Sequence, residues 1–121
     1  MLVGCPAEIK PQEYRVGLTP AAAQELVRAG QEVLVQTGAG AGSGFEDAQY
    51  MQAGATLAET AAEVFARADM IVKVKEPQAV ERKQLRAGQV LFTYLHLAPD
   101  PEQTRDLLDS GVTAIAYETV T

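Results

Sequence analysis

Several residue types are scarce in this chain of 121 residues, and each scarcity excludes a class of protein. A single cysteine, Cys5, cannot form an internal disulfide, which suits a reducing cytoplasm, and without a neighbouring base it is predicted to be a small buried apolar residue. Ten basic residues stand against sixteen acidic ones, for a net charge of −6, so nucleic acid and anionic membrane surfaces are not expected partners. No apolar run has the roughly 20 residues of a membrane span, and the start of the chain lacks a signal-peptide pattern, so we expect a cytoplasmic protein.

What the chain does contain is an alternation of strand-like and helix-like segments. With 47% hydrophobic residues, it is long enough to bury the core of one domain. The predicted strands cover residues 2–5, 32–36, 70–75, 90–95 and 112–118. The predicted helices cover residues 19–30, 45–54, 60–68 and 100–111, with a capping box at Thr60 and Glu63. This alternation predicts an α/β fold, a doubly wound flavodoxin- or Rossmann-like domain whose mainly parallel sheet carries helices on both faces.

The one compositionally biased segment is the glycine stretch TGAGAGSGF, residues 37–45. The dinucleotide-binding pattern starting at Gly38 would need glycine or alanine at position 43, which is Ser43. Starting at Gly40, it would need the same at position 45, which is Phe45. We therefore interpret the stretch as a loop that requires positive φ or close backbone approach, rather than as a cofactor loop.

Polar residues follow the predicted strands at the edge where ligands bind in open parallel sheets, outside the carboxyl ends of the strands. Arg15 lies in the loop after the first strand, Lys75 closes the strand 70–75, His96 follows the strand 90–95, and Glu118 closes the last strand. An arginine fork matches a carboxylate, a lysine supplies a compact charge for a carbonyl oxygen, and a histidine transfers protons near neutral pH. The edge is therefore predicted to suit a small carboxylate with a carbonyl beside it.

Each of these residues also has a structural interpretation. Arg15 could be a surface arginine, paired with Glu8 or Glu13. Lys73 lies two positions before Lys75, on the same side of the predicted strand, so the two lysines could form a solvated pair. The single histidine could be a core residue at a strand end.

Four segments carry a resemblance to a known family. They are GCPAEIKPQEYRVGLTPAAAQELVRAG (4–30), VQTGAGAGSGF (35–45), VKVKEP (72–77) and LFTYLHLA (91–98). The chain resembles the alanine dehydrogenase and proton-translocating transhydrogenase family over essentially its whole length. With their lysine and histidine, the last two segments resemble those of the alanine dehydrogenase branch, since the transhydrogenase branch usually lacks these two residues. Departures are Gln12 where asparagine is usual, Gly17 where alanine is usual and Ala23 where valine is common.

The resemblance implies an activity and a role for each site residue. Arg15 and Lys75 would bind substrate, with Lys75 and His96 catalytic and His96 the acid/base, in the reversible oxidative deamination of L-alanine to pyruvate and ammonium. It implies NAD as cofactor, bound by a domain not present in this chain, no metal, and a homo-oligomer, a hexamer in this family. Residues 1–121 would be the N-terminal part of the substrate domain, inactive in isolation. The alternative is a non-catalytic binding or assembly module related to the transhydrogenase alpha subunit.

Overall fold

The computed structural model describes residues 1–93 and 101–116. Its strands are β1 (Leu2–Cys5), β2 (Glu32–Gln36), β3 (Thr56–Ala58), β4 (Met70–Val72), β5 (Val90–Thr93) and β6 (Thr113–Ala116). Its helices are α1 (Pro20–Arg28), α2 (Asp47–Gln52), α3 (Ala61–Arg67), α4 (Ala79–Arg82) and α5 (Pro101–Ser110), with one 3₁₀ turn at Ala41–Ser43. Within these described ranges, every helix is too short or too polar to cross a membrane.

The strands form one sheet in the order β3-β2-β1-β4-β5-β6, and each neighbouring pair is parallel. The chain moves outward from β1 through β2 to β3, returns to β4 beside β1, and then moves outward in the other direction. The switch point of this doubly wound sheet therefore lies between β1 and β4. The predicted fold class is confirmed.

The helix starts follow local capping chemistry. Thr19 accepts a hydrogen bond from the backbone N–H of Ala22 at 3.1 Å, with Pro20 at the first position of α1. Thr60 likewise accepts from the N–H of Glu63 at 3.2 Å, at the start of α3. The Glu63 carboxylate accepts from Arg67 one turn further along, so only the threonine half of the predicted capping box is seen.

Two apolar clusters, one on each face of the sheet, hold the helices in place. Alternation along β2 shows the division, because Val33 and Val35 belong to one cluster and Leu34 to the other. The first cluster also contains residues of α1 and α2, including Tyr50, and the second contains residues of α3 and α5, including Phe65. Strands buried on both faces are what the predicted parallel sheet requires.

Three details differ from the sequence-based prediction. The short strand β3 and the four-residue helix α4 were not predicted, because segments of this length carry little periodicity. Strand β4 ends at Val72 rather than at residue 75. The N–H of Lys73 still donates to the carbonyl of Phe92 in β5, but those of Val74 and Lys75 donate to the Glu8 side chain instead. The predicted ends of the strands 90–95 and 112–118 lie partly outside the described residues.

Candidate functional site

The loop after β1 and the segment after β4 meet at the switch point of the sheet. A cavity of about 430 Å³ lies there, lined by Lys10, Pro11, Gln12, Glu13, Tyr14, Arg15 and Lys75. The structure therefore brings together Arg15 and Lys75, which are distant in sequence and were both predicted to bind substrate. The reason is topological, since β1 and β4 are hydrogen-bonded neighbours and their carboxyl ends share one edge.

Arg15 forms a two-pronged ion pair with Glu13. Its Nε donates to Oε2 at 3.0 Å and its Nη2 to Oε1 at 2.9 Å, while its backbone N–H also donates to Oε2 at 2.9 Å. The Arg15 side chain is 66% exposed and that of Glu13 only 6%. Chiefly through these side-chain hydrogen bonds, Arg15 lowers the pKa of Glu13 to about 2. Arg15 thus has the glutamate partner that the sequence left open, and it lines the cavity as well.

The glycine stretch braces this arginine loop. Ser43 Oγ donates to the backbone carbonyl of Tyr14 at 2.9 Å, and a Cβ at Gly42 would lie 2.7 Å from the same oxygen. A Cβ at Gly40 would lie 2.8 Å from the Tyr50 ring, and Gly38 has φ +78°. The interpretation of this loop as a place of positive φ and close approach is confirmed, since Gly38 and Gly44 have positive φ and packed atoms occupy the space beside Gly40 and Gly42.

Lys73 belongs to a buried ion-pair cluster. Its Nζ lies 2.8 Å from Glu8 Oε1 and 3.3 Å from Glu81 Oε2, and the three side chains are 1%, 2% and 3% exposed, respectively. The suggestion that Lys73 and Lys75 form a solvated pair is therefore wrong. Burial raises the pKa of Glu81, an effect that the charge of Lys73 opposes. Sequence reasoning missed the role of Glu8 and Glu81, because both meet Lys73 only through tertiary contacts.

Glu8 also binds the backbone that follows β4. Its Oε2 accepts from the N–H of Val74 at 3.0 Å, and its Oε1 accepts from the N–H of Lys75 at 3.1 Å. On the other side, Thr93 Oγ1 donates to the carbonyl of Lys75 at 2.7 Å. Contacts to side chains, rather than a strand ladder, therefore hold the half-buried Lys75.

The remaining predicted residues divide into those the structure places and those it does not. Cys5 is fully buried, and burial raises its pKa to about 11, so the prediction of a small buried apolar residue is confirmed. His96 and Glu118 lie outside the described residues. Among residues 1–93 and 101–116, no group of three or more histidine, cysteine, aspartate or glutamate side chains could hold a metal ion.

The fold and the site define a class of protein, namely a doubly wound α/β domain with a cationic cavity at the switch point of its sheet. Residues 4–121 match the family described as "Alanine dehydrogenase/PNT, N-terminal domain". The chain belongs to this family, as the sequence motifs predicted.

Curated relatives carry the same family name. An alanine dehydrogenase from Halomonas elongata is 55% identical over 121 residues, which are 100% of this chain and 33% of the relative. One from Mycobacterium tuberculosis (strain H37Rv) is 57% identical over 120 residues, 99% of this chain and 32% of the relative. The chain therefore spans about a third of the length of the curated relatives it matches.

Solved structures from both branches of the family share the fold. An L-alanine dehydrogenase matches with a TM-score of 0.95 and 50% identity, over 98% of this chain and 33% of that one. A transhydrogenase from Sinorhizobium meliloti matches with a TM-score of 0.91 and 33% identity, over 98% and 34%. Fold alone does not separate the two branches, but sequence identity is higher to the first.

Proposed function

We propose that this chain is the N-terminal part of the substrate domain of an NAD-dependent L-alanine dehydrogenase, which converts L-alanine reversibly to pyruvate and ammonium. The observation that carries the proposal is that Arg15 and Lys75 line one cavity at the carboxyl edge of β1 and β4. Relatives named alanine dehydrogenase, 53% to 57% identical to the chain, support it.

Arg15 is assigned to the substrate carboxylate. A guanidinium fork binds a carboxylate through two parallel hydrogen bonds, which fixes orientation as well as supplying charge. Glu13 already accepts from Nε and Nη2, so a substrate carboxylate would bind through Nη1 or take the place of Glu13. The high exposure of Arg15 makes either arrangement accessible to a ligand that enters the cavity.

Lys75 and His96 are assigned to the chemistry at the substrate's α-carbon. Loss of a hydride from the α-carbon, which the NAD of the parent enzyme would accept, leaves an imine. Water then adds to the imine carbon to form a carbinolamine, which collapses to the ketone of pyruvate and releases the amine as ammonium. The ammonium of Lys75 stabilises charge that develops on the oxygen during these steps. His96 moves the proton between oxygen and nitrogen, a task that suits a group titrating near neutral pH.

We assign no site for NAD to the described residues. In a doubly wound sheet, the dinucleotide pyrophosphate binds at the glycine-rich turn after the first strand. Here the loop between Cys5 and Gly17 contains no glycine, and it carries the buried carboxylate of Glu8. We therefore assign the NAD of the parent enzyme, which supplies the hydride acceptor, to a domain outside this chain. The resemblance also supports a cytoplasmic homo-oligomer, a hexamer, as the parent protein.

The alternative is a non-catalytic module related to the transhydrogenase alpha subunit. The structural match to a transhydrogenase favours it, with a TM-score of 0.91. Against it stand the lower identity of that match, 33%, and the lysine and histidine in the segments VKVKEP and LFTYLHLA. The alanine dehydrogenase proposal is therefore better supported.

The test uses the full-length parent protein and its alanine-dependent reduction of NAD. We expect His96→Ala to lower kcat by roughly 10²- to 10⁴-fold while pyruvate affinity is largely kept, because the histidine transfers a proton rather than binding the carboxylate. Lys75→Ala should also abolish most turnover, whereas Lys83→Ala, at an exposed lysine, should leave it unchanged. A parent protein without alanine activity, or a His96→Ala variant with normal turnover, would contradict the proposal.

A further inference from the structure

Side chains from two other parts of the fold hold the main chain of Lys75. Its N–H donates to Glu8 Oε1 at 3.1 Å, and its carbonyl accepts from Thr93 Oγ1 at 2.7 Å. Strand β4 ends at Val72, and the N–H of Lys73 still donates to Phe92 of β5 at 3.0 Å, so Lys75 lies two residues beyond this backbone contact. These two contacts therefore help to fix the main chain of Lys75.

Both contacts are made by buried groups with fixed surroundings. The Glu8 side chain is 2% exposed, and its carboxylate also accepts from Lys73 Nζ at 2.8 Å and from the N–H of Val74 at 3.0 Å. Thr93 is 0% exposed and lies in β5, beside β4. Hydrogen bonds to a buried carboxylate are strong and are costly to leave unmade, so this arrangement resists displacement.

The two contacts tie together the parts of the fold that form the cavity. Glu8 belongs to the loop after β1, the same loop that carries Arg15, whereas Thr93 belongs to β5 on the far side of β4. Lys75 lies between them. The contacts thus set where Lys75 stands relative to Arg15 across the switch point.

We propose that Glu8 and Thr93 are positioning residues that hold Lys75 in its place at the cavity. The inference rests on the proposed function, in which Lys75 contacts the substrate's oxygen. An error of about 1 Å in the placement of a catalytic group can cost about 100-fold in rate. Because the interaction of Lys75 with oxygen strengthens as charge develops, loss of positioning should lower kcat more than it raises KM.

Two substitutions and one matched control test the proposal in the full-length parent protein. Glu8→Gln keeps the shape of the side chain but replaces one acceptor oxygen by an NH₂ group. That group must then face one of the N–H donors that now donate to the carboxylate. Thr93→Val removes only the hydroxyl that binds the Lys75 carbonyl. Glu76→Gln is the control, because the Lys10–Glu76 ion pair joins the same two segments through side chains alone.

We expect Glu8→Gln to lower kcat by roughly 10- to 100-fold and Thr93→Val by roughly 3- to 10-fold, with KM for pyruvate changed less than about threefold. Glu76→Gln should keep kcat within about twofold of wild type, even if its melting temperature falls as far as that of the other variants. A folded Thr93→Val variant with wild-type kcat overturns the proposal, and this variant decides the matter if Glu8→Gln does not fold. Equal kcat losses in Glu8→Gln and Glu76→Gln also overturn it. Full activity in Lys75→Ala would instead overturn the role of Lys75 in the proposed function.

Discussion

Two ion-pair clusters lie at the same edge of the sheet, and they differ in their access to solvent. Glu8, Lys73 and Glu81 form one cluster, with side chains between 1% and 3% exposed. Glu13 and Arg15 form the other, in which the arginine side chain is 66% exposed and lines the cavity. Carboxylates paired with cations at one sheet edge thus form both a sealed cluster and an open one.

The difference separates charges that hold the fold from charges that can meet a ligand. A buried ion cannot exchange its partner without a large desolvation cost, so Lys73 stays paired with Glu8 and Glu81. The guanidinium of Arg15 is mostly exposed, so it can meet a ligand without the desolvation cost that Lys73 would incur. Lys73 and Lys75 stand two positions apart, yet only Lys75 lines the cavity. Burial, rather than residue type, decides which cation is available.

The largest expected effect is on the buried cluster. Lys73→Ala should lower the free energy of unfolding by about 3–5 kcal/mol, because it leaves the carboxylates of Glu8 and Glu81 buried without their cation. Urea unfolding of the chain at pH 7 measures this, with the exposed Lys83→Ala as control, expected within about 0.5 kcal/mol of wild type.

The same variant should be less destabilised in acid. The pKa of Glu81 is already raised in the folded state, and losing Lys73 raises it further. A carboxyl whose folded pKa is raised favours folding below its ordinary pKa of 4.5 and loses that contribution as pH rises through the folded value. If Lys73→Ala lowered the free energy of unfolding at pH 7 by less than about 1 kcal/mol, the buried cluster would not be sealed from solvent.

The next largest effect is on substrate binding at the open cluster, in the parent enzyme. Arg15→Ala should raise KM for pyruvate by roughly 10- to 100-fold, since hydrogen bonds between charged groups contribute about 1.5–3 kcal/mol. Arg15→Lys should not restore it, because lysine supplies the charge without the two-pronged geometry. A lysine variant with the KM of wild type would mean that Arg15 is only a surface charge.

A smaller effect concerns the titration of Glu13. In Arg15→Ala, the pKa of Glu13 should rise from about 2 toward its ordinary 4.5, because hydrogen bonding by Arg15 is the main cause of the lowering. Since the pKa is lowered in the folded state, the stability from this pair is present above 4.5 and is lost as pH falls toward 2. In the Arg15→Ala variant, the free energy of unfolding should therefore no longer show the pH dependence that this pair contributes. A carbon-13 NMR titration of the Glu13 carboxyl would contradict this if its pKa stayed near 2.

The smallest effect concerns the backbone of the open loop. Gln12 has φ +65°, in the left-handed region that glutamine rarely adopts and asparagine tolerates better. Gln12→Asn should therefore raise the free energy of unfolding by about 0.5 kcal/mol, part of the roughly 1–2 kcal/mol that this conformation costs. The matched control is Gln24→Asn in the middle of α1, where asparagine should be slightly destabilising. Equal changes in the free energy of unfolding for Gln12→Asn and Gln24→Asn would show that the backbone at Gln12 carries no strain.

Much of the fold could be predicted because its signals are local. Apolar runs such as 32–36, and caps such as Thr19 with Pro20, act within a few residues and predict the elements wherever the rest of the chain lies. Alternation of strand and helix then leaves a parallel doubly wound sheet as the expected arrangement. The edge that collects Arg15 and Lys75 follows from the same rule, since the carboxyl ends of parallel strands lie together. The role of His96 is still a prediction.

Amino-acid sequence by itself thus determined the fold class, the sheet edge that carries the candidate site, and the interpretation of the glycine loop. Tertiary structure alone decided that Lys73 is buried, that Glu8 and Glu81 are its partners, and that β4 ends at Val72. Glu8 meets Val74 and Lys75 across 66 and 67 positions of sequence, a contact with no local signal. A charged residue after a strand looks the same in sequence whether solvent or a distant carboxylate surrounds it, because desolvation depends on what the fold packs around the charge.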